Sequence, residues 1–293
     1  MRTILAIILL AFSIGLPALH AQPGKGKYLF LPEDQRLAEQ ILHDFSARAK
    51  LPLADLVAKI GLTFLGTPYV AATLENGLEE KLVINLRELD CTTFAENCLA
   101  LAYTVKMGRT DFASFVSQLE KIRYRNGLRD RYPSRLHYFS EWIMDNHLKQ
   151  FINASINEKG AKMDKAIRFM STHPNSYPVL KQHPEVVPVI AEQEEKLTLQ
   201  PLYYFPKENL QNMNDHLQHG DIIGLTSAVE GLDINHVGIV IGRDRTFHLL
   251  HASQGAKKVV LSDIPVSDFL LPESKNSGIM IARPIFDDEQ IVH

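Results

Sequence analysis

Cysteine is scarce in this sequence of 293 residues, which contains only Cys91 and Cys98. Both fall in one predicted helix, and seven helical residues separate them by roughly 10 Å along the axis, too far for a disulfide. The sequence therefore predicts no intrachain disulfide and leaves both thiols free. We interpret Cys98, in the middle of the helix among apolar residues, as a small core residue, which is the commonest role of a free cysteine.

Neither sign of charge dominates the sequence. The formal net charge is -3, from 31 Lys and Arg against 34 Asp and Glu, so electrostatics gives no reason to expect nucleic-acid binding. No linker, internal repeat or low-complexity segment divides the chain. With 45% hydrophobic and 22% charged residues, residues 22–293 are predicted to form one globular domain.

Long hydrophobic runs are also lacking, except at the start of the chain. A basic start at Met1-Arg2 precedes apolar residues from Ile4 to Leu16, and a short segment ending at Ala21 follows. This order is typical of a secretory signal peptide, here residues 1–21. The residue directly after the predicted cleavage site is Gln22 and not a cysteine, which excludes a lipoprotein, and the apolar run is short for the alternative, an uncleaved membrane anchor. We expect an exported protein with no stable membrane insertion after cleavage.

Apolar residues recur at helical spacing in the first half of the chain and in short strand-like runs in the second. Helices are predicted at 32–50, 52–62, 91–107, 111–123, 139–151 and 163–170, and a short strand at 83–86. Further strands are predicted at 221–226, 236–241, 247–252, 258–261 and 278–282. Strands at this spacing form an antiparallel meander or barrel-like sheet. The predicted fold class is α+β, with a helical N-terminal half and a C-terminal antiparallel sheet of about five or six strands.

Cys91 lies where a helix is predicted to begin. Asp90 is suited to the N-cap position, because its carboxylate can accept a hydrogen bond from the amide of Thr92 or Thr93. The unpaired amides and the positive end of the helix dipole would then favour the thiolate of Cys91 over the thiol. The apolar stripe of the helix runs through the same face, so the sulfur is predicted to point into a cleft.

A cysteine nucleophile needs a base, and the predicted hairpin over residues 236–253 offers one. A two-residue loop at Arg243-Asp244 places His236 directly opposite His251, with Cβ atoms roughly 4.5 to 5.5 Å apart. A four-residue loop makes His251 a diagonal neighbour on the same face, and an odd-length loop brings His248 onto that face instead. In each case His236 has a second imidazole beside it, so one ring can act as base and the other can orient it.

The segment 123–142 is dense in arginine and aromatic residues, including Arg135 and Tyr138. One interpretation is a loop held together by ion pairs and by arginine stems packed on apolar surface. The alternative is one wall of a cleft for a ligand that carries carboxylates and a ring, because arginine binds carboxylates and aromatic side chains stack on flat faces.

Five short motifs occur in the order seen in a known superfamily: Gly66-Thr67-Pro68-Tyr69, Asp90-Cys91, Gly220-Asp221-Ile222-Ile223, His236-Val237-Gly238-Ile239 and His251-Ala252-Ser253. In order and spacing they resemble the NlpC-type, papain-fold cysteine peptidases and amidases of bacterial cell walls. The resemblance implies a papain-like fold in which the nucleophile helix packs on the sheet. It implies Cys91 as nucleophile, His236 as base, His251 as the orienting residue and Tyr69 near the oxyanion. Asp90, Arg135 and Tyr138 complete the candidate site.

The departures from that pattern point to one branch. Ala71-Ala72-Thr73 replaces the usual Trp-Gly-Gly, Thr92-Thr93 replaces Ser-Gly, and a helical and loop insertion occupies about 108–218. The spacing between the histidines is also longer than usual, which keeps His248 as an alternative third member. Together with the run Arg135 to Phe139, these features are most similar to the N-acetylmuramoyl-L-alanine amidase-like branch.

That branch implies a periplasmic or secreted bacterial enzyme that cuts the bond between the muramic acid lactyl group and L-alanine in muropeptides, without a cofactor or metal. One alternative is a peptidase that cuts the stem peptide between D-glutamate and diaminopimelate. Another is a wall-binding module without chemistry, which would not need a lowered pKa at Cys91. A zinc site is the weakest alternative, because two sulfurs seven residues apart on a helix do not reach one metal.

Overall fold

The computed structural model describes residues 26–271 and 275–287. The predicted signal peptide, residues 1–21, lies outside the described residues. Within these ranges, no helix has both the length and the apolar character needed to cross a bilayer.

The described residues contain ten α-helices, and nine of them lie before residue 217. Their bounds are Pro32–Phe45 (α1), Leu53–Thr63 (α2), Cys91–Lys106 (α3), Phe112–Arg123 (α4), Phe139–Leu148 (α5), Phe169–Thr172 (α6), Pro178–Gln182 (α7), Val187–Thr198 (α8), Leu210–His216 (α9) and Val266–Leu270 (α10). The predicted positions of α1 to α5 are confirmed to within a few residues. The helix predicted at 163–170 is wrong, because residues 163–168 have no regular secondary structure: the amide of Met163 bonds the carbonyl of Leu202, and only the single turn α6 follows.

Strands make one small parallel pair and one large antiparallel sheet. Their bounds are Tyr28–Leu29 (β1), Leu82–Val83 (β2), Ile152–Asn153 (β3), Ala161–Lys162 (β4), Tyr203–Pro206 (β5), Ile222–Ser227 (β6), Ile234–Arg243 (β7), Thr246–Ser253 (β8), Lys258–Pro265 (β9) and Asn276–Pro284 (β10). The pair is β1 with β2. The eight-stranded sheet has the order β4-β5-β10-β6-β7-β8-β9, and β3 also pairs with β10.

The α+β class is therefore confirmed, whereas the predicted number of strands is too low. The five predicted C-terminal strands correspond to β6 to β10, and the sheet gains β3, β4 and β5 from within residues 108–218. These three strands have two to four residues each, which is too short for an alternating pattern to stand out in a sequence.

The N-terminal helices bring α3 against the sheet. Every residue of α3 from Thr93 to Val105 is buried, and the helix packs on α2 and α4 as well as on β7 and β8. Gly61 of α2 shows how close this packing is, because a Cβ there would lie 3.0 Å from Leu250 and 3.1 Å from Ile239. The core thus fixes the helix that carries Cys91 relative to the two strands that carry the candidate histidines.

A buried ion pair joins α3 to α4. Arg123 donates from Nε to Glu96 Oε2 at 2.7 Å and from Nη1 to the carbonyl of Val83 at 2.6 Å. The side chains of Arg123 and Glu96 are 1% and 2% exposed. Removing one partner would leave the other charge buried without compensation.

We expect Arg123→Met to lower the free energy of unfolding by about 3–5 kcal/mol, measured by urea denaturation followed by circular dichroism. Glu96→Met added to Arg123→Met should recover part of this loss, because no uncompensated charge then remains. The control is Lys196→Met, which breaks the exposed pair with Glu192 and should cost less than about 1 kcal/mol. Equal costs for Arg123→Met and Lys196→Met would contradict the assignment.

Candidate active site

Cys91 is the first residue of α3, as the sequence predicts. Asp90 Oδ1 accepts a hydrogen bond from the amide of Thr93 at 2.8 Å, and Thr93 Oγ1 accepts one from the amide of Asp90 at 3.0 Å. This reciprocal capping satisfies two of the amides that have no partner within the helix. It also fixes the backbone on both sides of Cys91, so the position of the sulfur is set by the helix start and not by a mobile loop.

Cys91 and His236 line the same cleft, which has a volume of about 180 Å³. The backbone of Val237, the residue after His236, lies close enough to the sulfur of Cys91 to lower its pKa. The helix start and strand β7 therefore meet at the thiol. Two of the three residues in the predicted catalytic set are brought together by elements that are more than a hundred residues apart in the sequence.

The third predicted member, His251 of β8, contacts His236 directly. His236 Nε2 and His251 Nδ1 are 2.6 Å apart, and the two rings are nearly perpendicular with centroids 4.8 Å apart. One of these nitrogens donates and the other accepts. Because Nε2 of His236 is used in this bond, Nδ1 is the nitrogen left for a proton from the cleft.

The register between β7 and β8 differs from the one predicted for a two-residue loop at Arg243-Asp244. Arg243 pairs with Thr246, so the two-residue loop is Asp244-Arg245 and not Arg243-Asp244. Both loop residues have positive φ, 49° and 65°, as a type I′ turn requires. The usual Asn-Gly or Asp-Gly signal is missing at these positions, so the sequence did not identify the turn. The resulting register is that of the diagonal alternative, and it keeps His251 on the face of His236.

His248, the alternative third member, is occupied elsewhere. Its Nδ1 bonds the carbonyl of Ser262 at 2.8 Å, and its Nε2 lies 3.1 Å from Thr246 Oγ1. His248 pairs with Ile241, which points to the opposite face of β7 from His236. The structure thus brings His251 and not His248 to His236.

Burial opposes the charge state that the helix start alone would favour. It raises the pKa of Cys91 to about 11, and the negative charge of Asp90 adds to this effect, whereas hydrogen bonds from Val237 and Thr92 lower the pKa. Burial lowers the pKa of His236 to about 3, with a further contribution from the charge of His251. The expectation of a resting thiolate is therefore corrected: the free site holds a thiol and a neutral imidazole.

Tyr69 lies beside this pair. Its loop is tied to the segment before α3, because the amide of Leu89 bonds the carbonyl of Pro68 at 3.0 Å and the amide of Val70 bonds the carbonyl of Leu89 at 3.1 Å. Burial raises the pKa of the Tyr69 hydroxyl, and the negative charges that Cys91 and Asp90 carry when they are ionised raise it further. The hydroxyl therefore stays protonated, so it is available as a hydrogen-bond donor near the sulfur.

The other two predicted site residues have different surroundings. Arg135 is buried, bonds Glu75 at 2.5 Å and the carbonyl of Leu74 at 3.0 Å, and is not among the described residues that line the cleft. Tyr138 does line the cleft, but its hydroxyl donates to Glu194 Oε1 at 2.6 Å and accepts from the amide of Met170 at 2.8 Å. Tyr138 thus offers the cleft a ring. Arg135 supports the interpretation of its segment as an ion-paired structural loop.

Several cleft residues were not singled out from the sequence. His137, Trp142, Tyr177 and Asp233 line the cleft together with Cys91. Both carboxylate oxygens of Asp233 are bonded, Oδ2 to the amide and hydroxyl of Ser140 and Oδ1 to the amide of Ile234. His137 and Trp142 fall in the segment 123–142, and its density of arginine and aromatic residues was the only feature of the sequence that pointed to them. No feature of the sequence pointed to Tyr177 or Asp233, because only the folded chain brings them to the cleft.

Two features concern the second cysteine and the possibility of a zinc site. Cys98 is fully buried in the core, as predicted. Within residues 26–271 and 275–287, no group of three or more His, Cys, Asp or Glu side chains is placed to hold a metal ion.

Comparison with known proteins fits this geometry. Residues 59–279 match the family described as AmiA-like, N-acetylmuramoyl-L-alanine amidase-like. The chain belongs to the AmiA-like family. The match includes Tyr69, Cys91, His236 and His251, so every residue placed around the thiol above falls inside the family region of this AmiA-like protein.

Solved structures agree with the assignment. An N-acetylmuramoyl-L-alanine amidase from Bacteroides uniformis ATCC 8492 is 36% identical over 80% of this chain and 99% of its own, with a TM-score of 0.76. A Bacteroides fragilis protein that carries the name of a xylanase is 38% identical over 76% of this chain and 98% of its own, with a TM-score of 0.72. A Legionella pneumophila protein of the DUF1460 family, 19% identical with a TM-score of 0.63, shares the fold. Among curated proteins, none matches the chain.

Proposed function

We propose that this AmiA-like protein is a cysteine amidase that hydrolyses the bond between N-acetylmuramic acid and L-alanine in peptidoglycan fragments. The observation that carries the proposal is the cleft in which Cys91 and His236 meet, with His251 bonded to the far nitrogen of His236. A thiol, a base and a group that orients the base are the parts required for acyl transfer. The relative from Bacteroides uniformis is named for this amidase activity.

In the proposed mechanism, Cys91 and His236 act in concert. His236 Nδ1 takes the proton of the thiol while the sulfur attacks the lactyl carbonyl carbon. The tetrahedral intermediate collapses as His236 returns a proton to the departing amine of L-alanine, which leaves a thioester on Cys91. Water, deprotonated by His236, then releases the muramic acid carboxylate and restores the thiol.

Neighbouring groups would stabilise the charges that develop in these steps. The backbone amide of Cys91 and the hydroxyl of Tyr69 are the donors proposed for the oxyanion. Nδ1 of His251 would accept from Nε2–H of His236, which fixes the tautomer of the base and stabilises its imidazolium. Because the free site is neutral, proton transfer and attack on the carbonyl are expected to occur together.

A glycosidase, which the name of the Bacteroides fragilis relative suggests, is a poorer fit to the cleft. Canonical glycoside hydrolases use two carboxyl groups that flank the scissile bond. Among the described residues that line the cleft, Asp233 is the one carboxylate, and both of its oxygens accept hydrogen bonds from the protein. The cleft therefore lacks a free acid and base pair of that kind.

A stem peptidase and a wall-binding module are the remaining alternatives, and product analysis separates them from the amidase. The substrate is a soluble N-acetylmuramoyl tetrapeptide, and the products are identified by mass spectrometry. We expect free N-acetylmuramic acid and an intact tetrapeptide. A sugar that retains L-alanine and D-glutamate would indicate the peptidase, and an unchanged substrate the binding module. The raised pKa of Cys91 means that thiol titration alone does not distinguish the enzyme from the module.

We also propose that the enzyme acts outside the cytoplasm. The support is the order of basic, apolar and small residues in positions 1–21 of the sequence, which is typical of a signal peptide.

A further inference from the structure

A second cavity lies at the other end of α3 from the thiol. It has a volume of about 880 Å³, and its lining includes Tyr103 of α3, Gln118 of α4 and Met107, which directly follows α3. A helix of 16 residues spans about 24 Å. The cavity is therefore separate from the Cys91 cleft, and its volume lies in the range of small-molecule binding sites, roughly 300–1,000 Å³.

The floor of this cavity contains a polar group that has no protein partner. Tyr103, Gln118 and Phe151 are buried lining residues. Gln118 is 5% exposed, yet its side-chain amide forms no hydrogen bond within the described chain. The amide atoms of Gln118 are not among the fully enclosed polar atoms that lack a partner, so they open onto the cavity, where a hydrogen-bonding ligand can reach them. The aromatic floor around it suits a ring or another flat apolar surface.

The rim of the cavity is cationic. Arg109 and Lys121 are exposed lining residues, and the side chain of neither forms an ion pair or a hydrogen bond in the part of the chain that the structure describes. The third cation, Lys149, is bonded to Asp145. The rim therefore holds two positive charges that are not neutralised by direct contact.

Among the residues that the structure describes, two further carboxylates lie near the cavity. Asp111 is close enough to Arg109 to feel its charge, but its own oxygens accept from the amide and hydroxyl of Ser114. Burial raises the pKa of Tyr103 on the floor, and the negative charge of Asp287 raises it further. The Asp111 oxygens are thus bonded to Ser114, so the rim keeps its positive character.

We propose that this cavity is a second binding site, which takes a ring-bearing carboxylate of the acidic amino sugar type. The carboxylate would lie between Arg109 and Lys121, an amide or hydroxyl of the ligand would bond Gln118, and the ring would rest on the aromatic floor. This site does not depend on the chemistry proposed for Cys91. It would let the protein hold a sugar acid while the cleft remains free.

The test compares two sugars that differ in the carboxylate. N-acetylmuramic acid carries a lactyl carboxylate and N-acetylglucosamine does not. Binding of each to the full chain with Cys91→Ala is measured by isothermal titration calorimetry. We expect saturable binding of N-acetylmuramic acid, and at least about tenfold weaker binding of N-acetylglucosamine, because the latter makes no charge-assisted bond.

The single tryptophan separates the two sites. Trp142 is the only tryptophan of the chain and lines the Cys91 cleft, so its fluorescence reports occupancy of the cleft. Binding in the second cavity is expected to produce heat without a change in this fluorescence. If all of the heat follows the Trp142 signal, the sugar binds only in the cleft and the second site is wrong.

Variants at the cavity complete the test. Lys121→Glu and Gln118→Leu should each weaken the fluorescence-silent binding at least about tenfold. The control is Lys59→Glu, which makes the same charge change on α2, at an exposed residue outside the cavity, and should leave binding unchanged. Thermal denaturation verifies that each variant folds. Binding that is equal in Lys121→Glu, Gln118→Leu and the parent, or an absence of saturable binding, would overturn the proposal.

Discussion

Replacing Cys91 with alanine is expected to reduce kcat/KM for a soluble muropeptide by about 10⁴-fold or more, because removal of a covalent nucleophile leaves only binding and oxyanion stabilisation. Cys91 is half-buried at the edge of the cleft, so the free energy of unfolding should change by less than about 1 kcal/mol. Activity is measured by release of tetrapeptide, and stability by urea denaturation of the same sample.

Cys98→Ala is the matched control for that experiment. Cys98 is the other free thiol of the same helix and is fully buried, so its replacement leaves a small cavity and costs about 1 kcal/mol of stability or somewhat more. Its hydrolysis rate should remain near that of the wild type. Muropeptide hydrolysis that survives in Cys91→Ala would remove the mechanism proposed for the Cys91 thiol.

The second large effect is expected at the imidazole pair. His236→Gln should lower kcat by about 10³-fold to 10⁴-fold, since the thiol then has no base. His251→Ala should cost less, about 10²-fold, because it removes only the partner that orients His236. His251→Asn keeps a hydrogen-bonding group and should recover part of that loss.

His248→Gln is the matched control for the pair. His248 is a buried histidine of the same hairpin, but its ring nitrogens face Ser262 and Thr246. Its replacement should leave kcat and KM near the wild-type values while it lowers stability. A large loss of kcat in His248→Gln, with His251→Ala unaffected, would reverse the assignment of the third residue.

The pair His236 and His251 also determines how the stability of the folded state depends on pH. Burial lowers the pKa of His236 to about 3 and that of His251 to about 4, so the base is neutral and competent throughout the ordinary range. In the unfolded chain both imidazoles have a pKa of about 6.5. Between about pH 6.5 and 4 the unfolded state therefore binds more protons, and the stability of the folded state falls as the pH falls.

Acid should thus inactivate the enzyme by unfolding it before His236 becomes protonated. The measurement compares Tm and kcat/KM from about pH 7 to about pH 4, in the wild type and in His251→Asn. The variant has one buried imidazole fewer, so its Tm should fall less steeply. A kcat/KM that declines near pH 6.5 while Tm stays constant would show that His236 keeps an ordinary pKa.

The sequence alone was sufficient for the local features of this protein. Asp90 followed by Thr93 defines a helix start whatever the rest of the chain does, because capping involves only neighbouring residues. Parity along the hairpin put His236 and His251 on one face in every even register, because side chains alternate along a strand. The helices α1 to α5 and the strands β6 to β10 could be predicted as well, because apolar residues recur every three to four positions in a helix and every second position in a strand.

Only the tertiary structure decided how those local features are combined. The register at Asp244-Arg245, the neutral state of Cys91 and the ion pairs that occupy Arg135 all depend on groups far away in the sequence. The helix dipole that favours a thiolate is a local effect, whereas the burial that opposes it comes from the packing of separate elements around the sulfur. Desolvation and cleft shape are properties of the assembled surface, and no pattern of neighbouring residues encodes them.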